Sequence, residues 1–167
     1  VFRQASQSLI VTNAHQIDRG ELPELTRRDG DFFFMARHSY EATAQTVVEL
    51  CTARLPRTYG LSPLWDIQVI CPSRINALGT VELNNRLQQA LNPPDRDKRE
   101  FTRYNRTFRE GDKVMQIKNN YDVPWTNRAG EKGMGVYNGD IGVIEMIDKP
   151  TRTLMVRYED RLVDYPF

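Results

Sequence analysis

Apolar positions in the first ninety residues recur first at helical and then at strand spacing. Ile10, Ala14 and Ile17 fall at i, i+4 and i+7, and Gly20 followed by Pro23 stops that predicted helix. Residues 32–36 form a short unbroken apolar run, the pattern of a strand buried on both faces. Ser39 suits the N-cap of the next helix, with Glu41 in its first turn and a stripe of Tyr40, Ala44, Val47, Cys51 and Leu55. Pro56, Gly60 and Pro63 then predict a loop. Residues 67–71 read as a second buried strand, ended by Pro72. Thr80 is a candidate cap for a helix with Leu83, Leu87, Ala90 and Leu91 on one face, and Pro93-Pro94 ends it. Helices alternating with strands predict βαβ units on a parallel sheet.

The texture changes near residue 107. Strands are predicted over 113–118 and 142–147, and 148–151 reads as a turn. Leu154, Val156 and Tyr158 alternate as on a half-buried strand, and 159–161 turns into a last strand over 162–165. Four or five short strands in 60 residues predict a small barrel. The fold class is therefore α/β: a partial parallel-sheet lobe over 1–107, then a small all-β barrel over 108–167.

Composition narrows the class. A chain of 167 residues, 40% hydrophobic and 27% charged, suits one globular domain or two small ones. A net charge of +1 excludes a histone-like polycation and an acidic tail protein. No apolar run approaches a membrane span, and there is no signal-peptide layout, so cytoplasmic residence is expected. The chain opens on Val1 without an initiator Met, which leads us to expect an excised fragment. Cys51 and Cys71 are the only cysteines, which supports neither a disulfide framework nor a cysteine zinc site.

Candidate chemistry is sparse. There is no G-x-x-x-x-G-K-[ST], so no P-loop; the glycines of 130–135 lack its spacing and read as a hairpin tip. His15 and His38 are the only histidines, and no metal site is expected. Asn119, Asn120, Tyr121 and Asp122, and later Tyr137, Asn138, Gly139 and Asp140, read either as turn chemistry or as a polar, aromatic rim that grips sugar-phosphate or a base. Pro72, Ser73 and Arg74 follow a predicted strand, where a hydroxyl and an arginine can hold phosphate or simply form an exposed loop. Residues 95–109 carry Arg96, Lys98, Arg99, Arg103, Arg106 and Arg109 against three acids, with Phe101, Tyr104 and Phe108 between them. That stretch reads as a solvated linker or as a nucleic-acid contact.

Several segments together resemble a known family. They are Val1-Phe2-Arg3-Gln4-Ala5, Ala14-His15-Gln16-Ile17, residues 67–72, Leu91-Asn92-Pro93, Phe108 through Gln116, Asn119-Asn120-Tyr121-Asp122, and Tyr137 through Gly142. The chain resembles the carboxyl-terminal motor lobe of RecD-like DNA helicases, the superfamily-one family of the exonuclease V alpha subunit. The resemblance implies a second RecA-like lobe over 1–107 and an SH3-like barrel inserted over 108–167. It implies a parent that hydrolyses ATP with Mg2+, moves 5′ to 3′ on single-stranded DNA and unwinds duplex DNA. Most of the ATP site would lie on an absent first lobe, so the fragment alone would bind no cofactor and be inactive. Arg3 matches the family's phosphate-contacting arginine, with Gln4 beside it in the nucleotide site. An arginine there neutralises charge on the γ-phosphoryl oxygens. Pro72, Ser73, Arg74, Asn119, Asn120, Tyr121 and Asn138 would face DNA. The implied partners are single-stranded and duplex-end DNA, the first RecA-like lobe and subunits of a nuclease complex. A non-enzymatic single-stranded nucleic-acid-binding module and the helicase half of a conjugative relaxase are the alternatives. The 123–136 segment is longer than compact relatives need and reads as a long hairpin at the barrel's edge.

Overall fold

The structure, a computed structural model, describes residues 8–167. The chain divides into two compact units, Val1–Ala42 and Thr43–Phe167.

The first unit holds α1, Leu9–Asp18. Ser8 caps it, its hydroxyl accepting from the Val11 amide, and Asp31 closes the same end by accepting from Leu9 N at 2.8 Å. Hydrogen bonding, first from the Ser8 hydroxyl, holds the Asp31 carboxyl below the usual carboxylate range. The buried face is not the predicted stripe: Ile10 and Ile17 are exposed, while Leu9 and Asn13 are buried. The cause is Asn13, whose carboxamide both donates to Glu24 O and accepts from Glu24 N. A polar residue that pins a returning segment looks outward-facing to a hydrophobicity pattern. Gly20 stops the helix at φ +75°, as its sequence position predicts.

Residues 32–36 are not a buried strand. They have no ladder partner among the described residues, and Phe33 and Phe34 are exposed. Residues 67–71 likewise lack a partner, and their burial alternates, with Ile70 almost fully exposed. A strand is made by its neighbour's hydrogen bonds, and an apolar run alone does not supply them. Every ladder among the described residues is antiparallel, so the parallel sheet expected for 1–107 is not seen.

The next helix, α2, spans Tyr40–Glu49, with Ser39 Oγ accepting from Ala42 N as predicted. It runs on through a π-helical turn, Leu50–Arg54, into α3, Leu55–Tyr59. The predicted loop at Pro56 is thus helix. Widening the preceding turn, where Leu55 N bonds Leu50 O, lets the chain carry a ring that would clash in a regular helix. Gly60 at φ +68° ends the run.

The last helix, α4, spans Thr80–Leu91, and its cap is Gly79 rather than Thr80. A Cβ on Gly79 would lie 2.6 Å from the Arg74 backbone, so the close loop excludes a side chain. Leu83 is buried with Leu87 and Leu91 half-buried beside it, while Ala90 faces out. Helix α4 packs on the π-helical turn.

The remainder is β. Strands β1 (Glu100–Arg103) and β2 (Arg106–Arg109) form a hairpin where a linker was expected. The others are β3 (Lys113–Met115), β4 (Asn120–Asn127), β5 (Lys132–Val136), β6 (Ile141–Asp148), β7 (Thr153–Tyr158) and β8 (Arg161–Pro166). They form one six-stranded antiparallel sheet in the order β3-β6-β7-β8-β4-β5. The β4–β5 pair is the long hairpin predicted at the edge. The core is Val123, Val136, Ile144, Ile147, Val156, Tyr158 and Val163, and Phe101, Phe108, Trp125 and Phe167 pack against it. Strands β7 and β8 offer it alternate residues, as a half-buried antiparallel sheet requires, while β6 supplies Ile144 and Ile147 across a register shift.

Candidate nucleic-acid interface

A buried polar junction fixes the base of the sheet. Gly111 at φ +90° turns the chain between β2 and β3 and lets Asp112 face α4. The Asp112 carboxylate accepts from Asn92 Nδ2 at 2.7 Å, from Gln88 Nε2 at 2.5 Å and from Arg109 N at 2.8 Å. Arg109 is 2% exposed, with its guanidinium on Glu100 and on Asn92 O. Glu110 accepts from Ile147 N and from Arg99 N. The motif residues from Arg109 to Asp112 are therefore occupied inside the fold. Their role is to hold helix, hairpin and sheet in one frame.

That frame presents a corner made of two turns. The register of β4 against β5 shifts between Asn120 and Pro124, so the ladder is interrupted where Tyr121 and Asp122 sit. A bulge of this kind redirects side chains. Tyr121 is 62% exposed, and its ring meets Tyr137 edge-on at 5.8 Å. Asn119 Nδ2 donates to Tyr121 Oη at 2.9 Å, and Asn119 Oδ1 accepts from Asn138 N at 2.8 Å. Asn120 Oδ1 accepts from Asp122 N. The Tyr137–Asp140 turn is tied by Asp140 N to Tyr137 O, with Gly139 at φ +95°. It is not the tight hairpin the Asn-Gly pair suggested. Asn138 has no positive φ, and β5 and β6 are not neighbours in the sheet. Asp140 accepts from Tyr137 N and pairs with Arg161 at 3.3 Å. Behind the corner, Tyr165 donates to Gln116 Oε1, so its partner Tyr158 must donate to Tyr165. Burial raises the phenol pKa of both tyrosines.

The structure thus brings Asn119, Asn120, Tyr121 and Asn138 together with Tyr137, which the sequence left between a turn and an aromatic rim. Two Asn/Tyr pairs about twenty residues apart were the available signal. Pro72, Ser73 and Arg74 form a separate loop ahead of α4. The Ser73 hydroxyl donates to Ile75 O at 2.7 Å, so it is engaged within its own loop, while Arg74 is exposed. No hydrogen bond or ion pair joins that loop to the corner among the described residues. Arg3 and Gln4 lie outside the described residues.

A groove of about 740 Å3 runs between residues 67–71, α4 and β3. Its lining is mostly apolar, and half-buried Lys113 within it donates to Ile67 O at 2.8 Å. Burial lowers the Lys113 pKa and raises that of Cys51, which also lines the groove. Among the described residues no group of three His, Cys, Asp or Glu is placed to hold a metal ion. Among them, too, no helix is long and apolar enough to cross a membrane.

Residues 83–158 match the family described as the ATP-dependent RecD-like DNA helicase SH3 domain. The matched span takes in most of α4, the β1–β2 hairpin, the polar junction, the two-turn corner and the sheet through β7. Over residues 83–158 the chain is thus similar to the SH3 domain of RecD-like DNA helicases.

Proposed function

We propose that this chain is the DNA-facing part of an ATP-dependent RecD-like helicase that moves 5′ to 3′ on single-stranded DNA and unwinds duplex. The observation that carries the reading is the exposed corner on a domain similar to a helicase SH3 domain. Tyr121 presents a ring face to a base, Asn119 sets its hydroxyl, and Asn138 offers an exposed carboxamide beside it. Base–aromatic stacking suits a motor, because every base has a π-face and the strand can pass in steps. Asn120 shapes the bulge, and Arg74 adds a charge for the phosphate backbone. In this reading residues 1–107 belong to a second RecA-like lobe. Arg3 and Gln4 meet ATP whose phosphates and Mg2+ are held mainly by a first lobe. Duplex ends, nuclease subunits and a cytoplasmic setting complete the proposal.

Binding of labelled oligo(dT), followed by anisotropy, tests it. Tyr121→Ala should weaken binding about tenfold, the scale of one stacked base, about 1.4 kcal/mol. Equal affinity would return Tyr121 to a purely structural role. In the longer protein, Arg3→Ala should abolish ATP turnover and spare DNA binding. DNA binding by a longer protein without ATP turnover would leave a non-enzymatic binding module instead.

A further inference from the structure

The β1–β2 hairpin is built to favour something other than its own stability. Its root is firm: Phe101 stacks on Phe108 at 5.0 Å and on Phe167 at 4.1 Å, and Arg109 is buried against Glu100. Its tip is the opposite. Tyr104 and Asn105 occupy the two-residue turn at φ +48° and +59°. Asn tolerates that left-handed backbone, whereas a tyrosine is disfavoured there. Tyr104 is nonetheless 86% exposed, more than any other described aromatic. Arg103 and Arg106 stand directly opposite each other across the ladder. Like charges in that position repel, and among the described residues no carboxylate pairs with either. The Arg103 guanidinium lies over the Tyr104 ring at 5.2 Å.

Three unfavourable choices thus meet at one protruding point: a strained backbone, an exposed ring and two unneutralised cations. Strain of this kind concentrates at functional sites. One ligand chemistry relieves the charge and uses the ring, a flexible polyanion with planar bases. We propose that the Arg103–Arg106 tip is a second contact for single-stranded nucleic acid, with Tyr104 stacked on a base and the two arginines on flanking phosphates. An acidic protein surface would take the arginines but would leave the ring without a purpose. The proposal rests on the nucleic-acid reading and extends it to residues the Tyr121 corner does not use, within the same compact unit, Thr43–Phe167.

The test uses the 167-residue chain. Tyr104→Asn puts a residue suited to left-handed backbone at the turn, so its melting temperature should hold or rise. Its affinity for oligo(dT) should fall about tenfold. Replacing Arg103 and Arg106 together with Ser should lower the slope of log K against log salt by about 1.4, two phosphates at about 0.7 each. Unchanged affinity in Y104N, with Tyr121→Ala still weakening binding, overturns the tip and leaves the corner standing. A loss only with the arginine pair, with Y104N neutral, leaves a phosphate contact without a stacked base and overturns the proposal for Tyr104. An unsubstituted chain that binds no oligonucleotide overturns both readings.

Discussion

Asn92 donates to Asp112 at 2.7 Å, and both side chains are buried. Asn92 ends α4 and Asp112 opens the turn into β3, so this bond ties the helix to the sheet. The buried carboxylate meets three donors, which suits an acceptor-only group. Replacing it with Ala would take the acceptor from the Arg109 amide and one of two acceptors from each of the Asn92 and Gln88 carboxamides, which also donate to Glu110 O and Thr107 O. Asp112→Ala should destabilise the fold by about 3 kcal/mol. Asp112→Asn should also destabilise it, because an amide turns one acceptor into a fourth donor. Urea unfolding would measure both, and an unmoved midpoint in either variant would contradict the assignment.

Gly111 and Gly139 separate backbone from packing. Both hold positive φ, +90° and +95°. A Cβ on Gly111 would meet the Asn92 carboxamide at 3.2 Å, while one on Gly139 would meet nothing within 4 Å. Gly139→Ala should therefore lose about 1 kcal/mol, the conformational term alone. Gly111→Ala should lose more, because it also presses on the Asn92–Asp112 bond. Equal losses by thermal melting would show that the junction yields freely.

What the sequence revealed follows from where the determinants lie. The strands over 142–165 were legible because Leu154, Val156 and Tyr158 alternate against a one-sided core. The Ser39 cap and the Gly20 stop were legible because they are local chemistry. Residues 32–36 and 67–71 misled because apolar character says nothing about whether a neighbouring strand is there to bond. The β1–β2 hairpin was hidden by a Tyr-Asn turn that lacks the Asn-Gly signature, inside a stretch whose charges read as a linker. At the corner, Asn119, Tyr121 and Asn138 could be named from their motifs. The contact of Tyr137 with Tyr121 could not be read there, because the bulge between Asn120 and Pro124 is a property of the β4–β5 register.

Burial raises the pKa of Tyr158, and of Tyr165 beside it, so both are protonated in the fold at pH values where unfolded tyrosines ionise. The folded chain then holds more protons than the unfolded chain. Their contribution to stability is fully present below pH 10 and is lost as pH rises above it. Alkaline unfolding should steepen above about pH 10 in the native chain. A Tyr158→Phe, Tyr165→Phe variant should show a shallower decline there. Parallel curves from pH 9 to about 12 would show that these phenols do not control the transition.

The Tyr121–Tyr137 pair turns the nucleic-acid reading into a distinction between contact and support. Tyr137 is 45% exposed and lies edge-on to Tyr121, so removing it takes away little of the core. Gly135, at φ +97°, leaves room for it, since a Cβ there would come within 3.0 Å of the Tyr137 hydroxyl. Tyr137→Ala should leave the melting temperature within about 2 °C, because surface changes are usually within about 0.5 kcal/mol. It should still weaken oligo(dT) binding by about 3- to 10-fold, since an aromatic pair contributes about 0.5–1.5 kcal/mol to holding Tyr121 in place. Tyr137→Phe keeps the ring and should restore the affinity. If instead Tyr137→Ala melts early and Tyr137→Phe does not rescue binding, the pair serves the turn, and Tyr121 alone must account for any affinity at the corner.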